Sequence, residues 1–106
     1  MVELKSFEEI VKQGTVRKLD LQNGVISLEN DSGGGWCTTL PISPPEYRKE
    51  HSIKAEFSVS EEEDKIVFII VDDWGCEYTL TITGDERRNP IVQREVEIIK
   101  AINKEG

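Results

Sequence analysis

The chain reads as a mainly-β, α+β domain: six antiparallel strands forming a curled sheet or small barrel, with a short N-terminal helix and a C-terminal helix. Three consecutive segments carry that reading. Ile53, Ala55, Phe57 and Val59 alternate with Lys54, Glu56 and Ser58; residues 66–71 are apolar on both faces; Tyr78, Leu80 and Ile82 alternate with Glu77, Thr79 and Thr81. Two turn segments separate them. With Glu61-Glu62-Glu63-Asp64 as a four-residue loop, Val59 faces Ile66, Phe57 faces Phe68 and Ala55 faces Ile70. With Asp73-Trp74-Gly75 as a three-residue loop, Tyr78 faces Ile70, Leu80 faces Phe68 and Ile82 faces Ile66. Both turns select the same apolar face, and a slip of one residue in either destroys the agreement.

The remaining elements follow in chain order. Ser6-Phe7-Glu8-Glu9 has the form of a capping box, with Phe7, Ile10 and Val11 as an apolar stripe and Gly14 as a stop, which predicts a short helix. Asn23-Gly24 predicts a hairpin turn, because both residues tolerate positive φ. Centred there, the hairpin pairs Leu21 with Ile26 and Leu19 with Leu28. Val16 falls out of phase with Leu19 and Leu21, which predicts a bulge near Arg17-Lys18. Residues 30–35 read as a polar connection and Trp36 to Ile42 as a third strand, which Pro41 marks as an edge. Ser43-Pro44-Pro45-Glu46-Tyr47 reads as a rigid corner. At the end, Asn89 caps a helix that has Pro90 at its first position. Val92, Val96 and Ile99 fall on one line of that helix, and Ile91, Glu95, Ile98 and Ile102 on the next. Val67, Ile69 and Val71 point away from the shared face of the three strands, so the helix is expected to cover part of that row.

Composition bounds the function. The chain has 106 residues, which suits one domain spanning 1–106 that buries its own core. The formal net charge is -8, and the basic residues fall in scattered pairs. That disfavours nucleic acid, whose phosphates need clustered Lys and Arg, and fits a soluble protein, a basic protein partner or a cation, solubility alone being the commonest meaning of such a charge. No apolar run approaches a membrane span and no signal peptide opens the chain, so a cytoplasmic protein is expected. A Cys37–Cys76 bridge would be worth about 4 kcal/mol in the chain-entropy model. Strand parity sets the two residues on different faces, so free thiols are expected.

Candidate chemistry is sparse. One His, two unpaired Cys and no carboxylate pair at helical spacing make no recognisable triad or metal site, and neither enzyme activity, nor a cofactor, nor a metal is expected. Asp72 and Asp73 stand in a tight turn, where Asp is a preferred residue without any ion. His51 reads as a strand-end residue. Trp36, Tyr47 and Trp74 are the aromatic rings left outside the proposed core. Asn30, Asp31, Ser32, Gly35 and Trp36 in one loop, with Asp72, Asp73 and Trp74 in the other, are the candidate recognition residues. Glycine-rich backbone admits a close ligand, and Trp is favoured as an anchor.

Asn30-x-Ser32-x-x-Gly35 resembles the D/N-x-S-x-x-G signature of PilZ domains, six-stranded barrels with a C-terminal helix. That resemblance implies cyclic-dinucleotide binding. The R-x-x-x-R motif that grips the nucleotide in that family is missing, with only Arg17, Lys12 and Lys18 in its region. The strand spacing also looks like an OB-fold. The reading that results is a small non-catalytic binding module for another protein. The alternatives are a PilZ-like nucleotide binder and an acidic inhibitor or immunity-type protein, and the oligomeric state stays open.

Overall fold

The computed structural model describes residues 2–6, 11–29 and 34–105. Among them run seven strands: β1 (Val2–Ser6), β2 (Val11–Asp20), β3 (Val25–Glu29), β4 (Gly35–Thr39), β5 (Glu56–Glu61), β6 (Lys65–Val71) and β7 (Glu77–Thr83). Two α-helices join them, α1 (Pro45–Glu50) and α2 (Pro90–Glu105). All neighbouring strands are antiparallel, in the order β4-β3-β2-β1-β7-β6-β5. β4 and β5 are the two ends of this order, so the sheet is curled and open, not a closed barrel.

The six expected strands are present, and the N-terminal segment adds a seventh in place of the expected helix. Ser6 belongs to β1 and Val11 to Gly14 belong to β2. Phe7 to Ile10, the middle of the expected helix, lie outside the described residues. The reason is tertiary. A helix of two turns is marginal alone, whereas β1 pairs along its length with β7 on one side and β2 on the other. Val2 and Leu4 are buried while Glu3 and Lys5 alternate with them, a period-two pattern that the capping-box signal obscured.

β2 serves two partners in turn. Residues 11–14 pair with β1 and residues 15–20 with β3. Gly14 stands at the change, and a Cβ there would meet the Glu29 carbonyl oxygen at 2.6 Å. Only a residue without a side chain lets the backbones come this close. The expected bulge is present between Val16 and Lys18. The groups it frees are satisfied from the far end of the chain. The Val16 amide donates to Glu86 Oε1 (2.9 Å), and Asn89 Nδ2 donates to the Val16 carbonyl (3.1 Å).

The registers correct two expectations. β6 and β7 pair as predicted, with Ile66 opposite Ile82, Phe68 opposite Leu80 and Ile70 opposite Tyr78. β5 sits two residues from its expected place: Val59 faces Phe68 and Phe57 faces Ile70. The Glu62 amide donates to the Lys65 carbonyl (2.8 Å), so the turn is the pair Glu63-Asp64 and the ladder gains length. A two-residue shift keeps every side chain on its face, so the apolar pattern did not distinguish the two. The β2–β3 turn is likewise wider than a two-residue Asn-Gly loop. Leu21–Asn23 form a 3₁₀ turn ended by Gly24 at φ 70, and Leu19 faces Ile26.

One apolar interior unites the elements. Phe68, Ile70, Leu80 and Ile82 from the β6–β7 hairpin meet Ile26, Leu28 and Val16 from the β2–β3 hairpin. Helix α2 fills the concavity with Val92, Val96 and Ile99, all fully buried. Each such side chain contributes about 1.5–3 kcal/mol. The helix starts as expected, the Ile91 amide donating to Asn89 Oδ1 (3.0 Å). It reaches only the end of the outer β6 row: Ile102 and Asn103 share a recess with Ile69 and Val71, and Ile69 stays 37% exposed.

Glu95 lies on the buried side of α2 with 4% exposure. Its Oε1 accepts the Leu21 amide (3.1 Å), supplying a partner for the turn after β2. Burial raises the Glu95 carboxyl above its usual value of 4.5, Asp20 adds to that, and the Leu21 amide and Arg94 oppose it. The native state therefore keeps this proton to higher pH than the unfolded chain. The contribution is full below 4.5 and is lost as pH rises through the native value.

Glu95→Gln, neutral at every pH, should gain stability relative to the wild type as pH rises from about 4 to about 8; urea titrations at several pH values measure it, and parallel curves for the two proteins would contradict it. Gly14→Ala presses a methyl group against the Glu29 carbonyl and should cost about 2–3 kcal/mol. Gly75→Ala has nothing within 4 Å but a φ of +85, and should cost only about 1 kcal/mol.

Candidate functional site

The β6–β7 hairpin tip is built by one carboxylate. Asp72 is 1% exposed. Its Oδ1 accepts the amides of Trp74 and Cys76 (both 2.9 Å), and its Oδ2 accepts the Tyr78 hydroxyl (2.8 Å). The Asp72 amide donates across the turn to the Cys76 carbonyl (3.0 Å). Asp73, Trp74 and Gly75 are thus held as the expected three-residue loop, with Gly75 in the left-handed conformation that such loops need. This arrangement uses Asp72 as a turn-forming group.

Asp73 ties the tip to the segment that follows β4. Its amide donates to the Pro41 carbonyl (3.3 Å), and its Oδ2 accepts both the Ser43 amide (2.9 Å) and the Ser43 hydroxyl (2.5 Å). Its Oδ1 is buried and has no hydrogen-bond partner. Arg48 supports the same segment from α1. Its Nη1 donates to the carbonyls of Ser43 (2.6 Å) and Gln22 (2.7 Å), and its guanidinium carbon lies 5.4 Å from the Phe57 ring centre. Burial lowers the Arg48 pKa and Asp73 opposes that shift.

The Pro-Pro corner carries more structure than a turn. Pro45 occupies the first turn of α1, where a missing amide hydrogen costs nothing. The helix ends at His51, which is a helix end and not a strand end. Ser52 adopts φ 54, and the Ile53 amide reaches back to the Arg48 carbonyl (2.9 Å). The His51 ring stacks on Tyr47 with centroids 4.0 Å apart.

These pieces line an open, shallow cavity of about 570 Å³. Leu40 and Ile42, both buried, and Ile53 supply apolar lining; Pro41, Tyr47 and Trp74 line it from exposed positions; Ser43 and Asp73 are its polar members. Trp74 is 83% exposed and Tyr47 47%.

The predicted recognition residues separate into two groups. Asp72, Asp73 and Trp74 belong to this tip, with Asp72 in support and the other two lining the cavity. Gly35 and Trp36 begin β4, Trp36 opposite Leu28. Leu40, at the cavity, follows the other end of β4, roughly 13 Å along the strand from Trp36. Asn30, Asp31 and Ser32 lie outside the described residues, and so does the Trp36 side chain. Gly35 and Trp36 therefore stand at the opposite end of β4 from the cavity. Leu40, Ile42, Ser43 and Ile53 were missed as lining residues. The available signal was the interruption of an apolar run by Pro41 just before the rigid corner.

Cys37 and Cys76 are free, Cys37 exposed and Cys76 half-buried. Among the described residues no three His, Cys, Asp or Glu gather as a possible metal site, and no helix is long and apolar enough to cross a membrane. The site and fold define an open antiparallel sheet carrying an apolar cavity at a hairpin tip. In comparisons with protein-family models, curated proteins and solved structures, the chain matches none.

Asp72→Ala strands two amides and a hydroxyl at once and should cost about 3 kcal/mol, whereas Tyr78→Phe should cost about 1 kcal/mol. Denaturant titration of the two variants tests the ranking; an Asp72→Ala protein as stable as Tyr78→Phe would remove Asp72 as the organiser of the tip.

Proposed function

We propose that the chain is a non-catalytic binding module that takes another protein at the cavity beside Trp74. The observation that carries this reading is an indole 83% exposed on an apolar cavity. An exposed Trp at a recess is the residue type and the setting of a binding anchor. The tip that presents it is held by Asp72 and Asp73, so little ordering is left to oppose association. The net charge of -8 favours encounter with a basic partner.

The OB-like and PilZ-like resemblances extend to a curled antiparallel sheet with a C-terminal helix. Cyclic-dinucleotide binding through Asn30, Ser32 and Gly35 ranks second, since it draws on the opposite end of β4 from this cavity. Inhibition of a basic enzyme is a special case of the first reading, with the partner's charge as its added content.

Partners captured on the immobilised wild-type chain should fall about tenfold in retention on Trp74→Ala and be retained on Trp36→Ala, measured by quantitative mass spectrometry. Full retention of every partner by the Trp74→Ala protein would refute the assignment.

A further inference from the structure

The cavity combines features that a purely apolar guest leaves unused. Tyr47 and Trp74 place two exposed aromatic rings on it, and Asp73 places a carboxylate there. The negative face of an aromatic ring attracts a cation, with Trp the strongest of the three ring types. Ser43 occupies Oδ2 of Asp73 through its amide and hydroxyl, while Oδ1 is buried without a partner. The carboxylate charge is thus not cancelled by a hydrogen-bonded cation, and it attracts a cation seated in the cavity.

We infer that the cavity accepts a lysine side chain of the partner polypeptide, its methylenes against Leu40, Ile42 and Ile53 and its ammonium between the aromatic rings and Asp73. The inference rests on the binding-module reading above and names what that module recognises.

Ammonium is favoured over guanidinium by the acceptor geometry. An arginine fork binds a carboxylate best through both oxygens, and here one of the two is already engaged by Ser43. A compact point charge needs no second oxygen and is attracted by the carboxylate charge alone. Arg48 does not occupy this place: it does not line the cavity, and its Nη1 donates to the Ser43 and Gln22 carbonyls. The other titratable ring nearby, His51, stacks on Tyr47 and is exposed. The overall charge of -8 agrees in sign.

The test is an NMR titration of the full chain with three blocked tripeptides, alanine flanking a central lysine, norleucine or arginine, read at the Trp74 indole N–H and the Asp73 amide. The lysine peptide should bind about fivefold more tightly than its neutral norleucine counterpart, with the preference shrinking in added salt. Asp73→Asn should abolish the preference, so that the lysine and norleucine peptides bind that variant equally. Should that variant lose its fold with the Ser43 contacts, Tyr47→Leu, judged folded by its spectrum, should reduce the preference instead. Equal binding of lysine and norleucine overturns the inference while leaving the binding module intact. Equal binding of arginine overturns the acceptor argument. No shift at Trp74 with any peptide at millimolar concentration overturns lysine recognition. The module itself stands or falls on the Trp74-dependent capture of partners.

Discussion

β1 is the seam of this protein. It is the central strand of the seven, with the β2-β3-β4 unit on one side and the β7-β6-β5 unit on the other. Each unit is an antiparallel meander, and among the described residues the two are laddered to each other only through β1. Val2 and Leu4 bring the seam into the common interior. Pairing the first strand with the last wraps the chain back on itself, a non-local contact whose loop-closure entropy must be offset by burial.

The open, curled sheet then needs a cover, and α2 is that cover. Its apolar line enters the concavity, while its polar tethers join the two units again. Glu86 and Asn89 satisfy the β2 bulge and Glu95 satisfies the turn that follows β2. A bulge left without those partners would hold a frustrated amide and carbonyl near the core. The side chains that make the bulge tolerable come from residues 86–89, the segment that leads into the helix, so sheet curvature and helix position are set together.

The candidate site exists because the edge strand ends early. Pro41 cannot continue the ladder, and the chain from Leu40 to Ser43 turns towards the β6–β7 tip, where Asp73 holds it. The cavity sits between these two segments and α1. A rigid tip with an exposed aromatic residue and a carboxylate is a recognition surface made from turn chemistry, not from the sheet itself.

Much of this was legible from local pattern. The alternation in residues 53–82, the Asn89-Pro90 helix start, the three-residue Asp73-Trp74-Gly75 loop and the bulge near Arg17 each follow from a few neighbouring residues, because period, capping and φ preference are local properties. The exposed Trp74 was legible for the same reason, as a large aromatic residue in a tight turn. The misreadings share a cause as well. The β5 register was ambiguous because a shift of two preserves every face, and only the gain of ladder pairs at the tighter turn decided it. The N-terminal strand was hidden because Val2 and Leu4 are a single alternating pair, too short to read as a strand beside the capping box that follows it, and only the distant partners β2 and β7 make it one. Leu40, Ile42 and Ile53 were invisible as a site because a cavity is defined by segments far apart in sequence. By itself the sequence determined which residues turn inward and where the chain turns. The tertiary structure decided which strands are neighbours, where the helix docks and which turn meets which corner, since those choices depend on long-range pairing and shared burial that no local window contains.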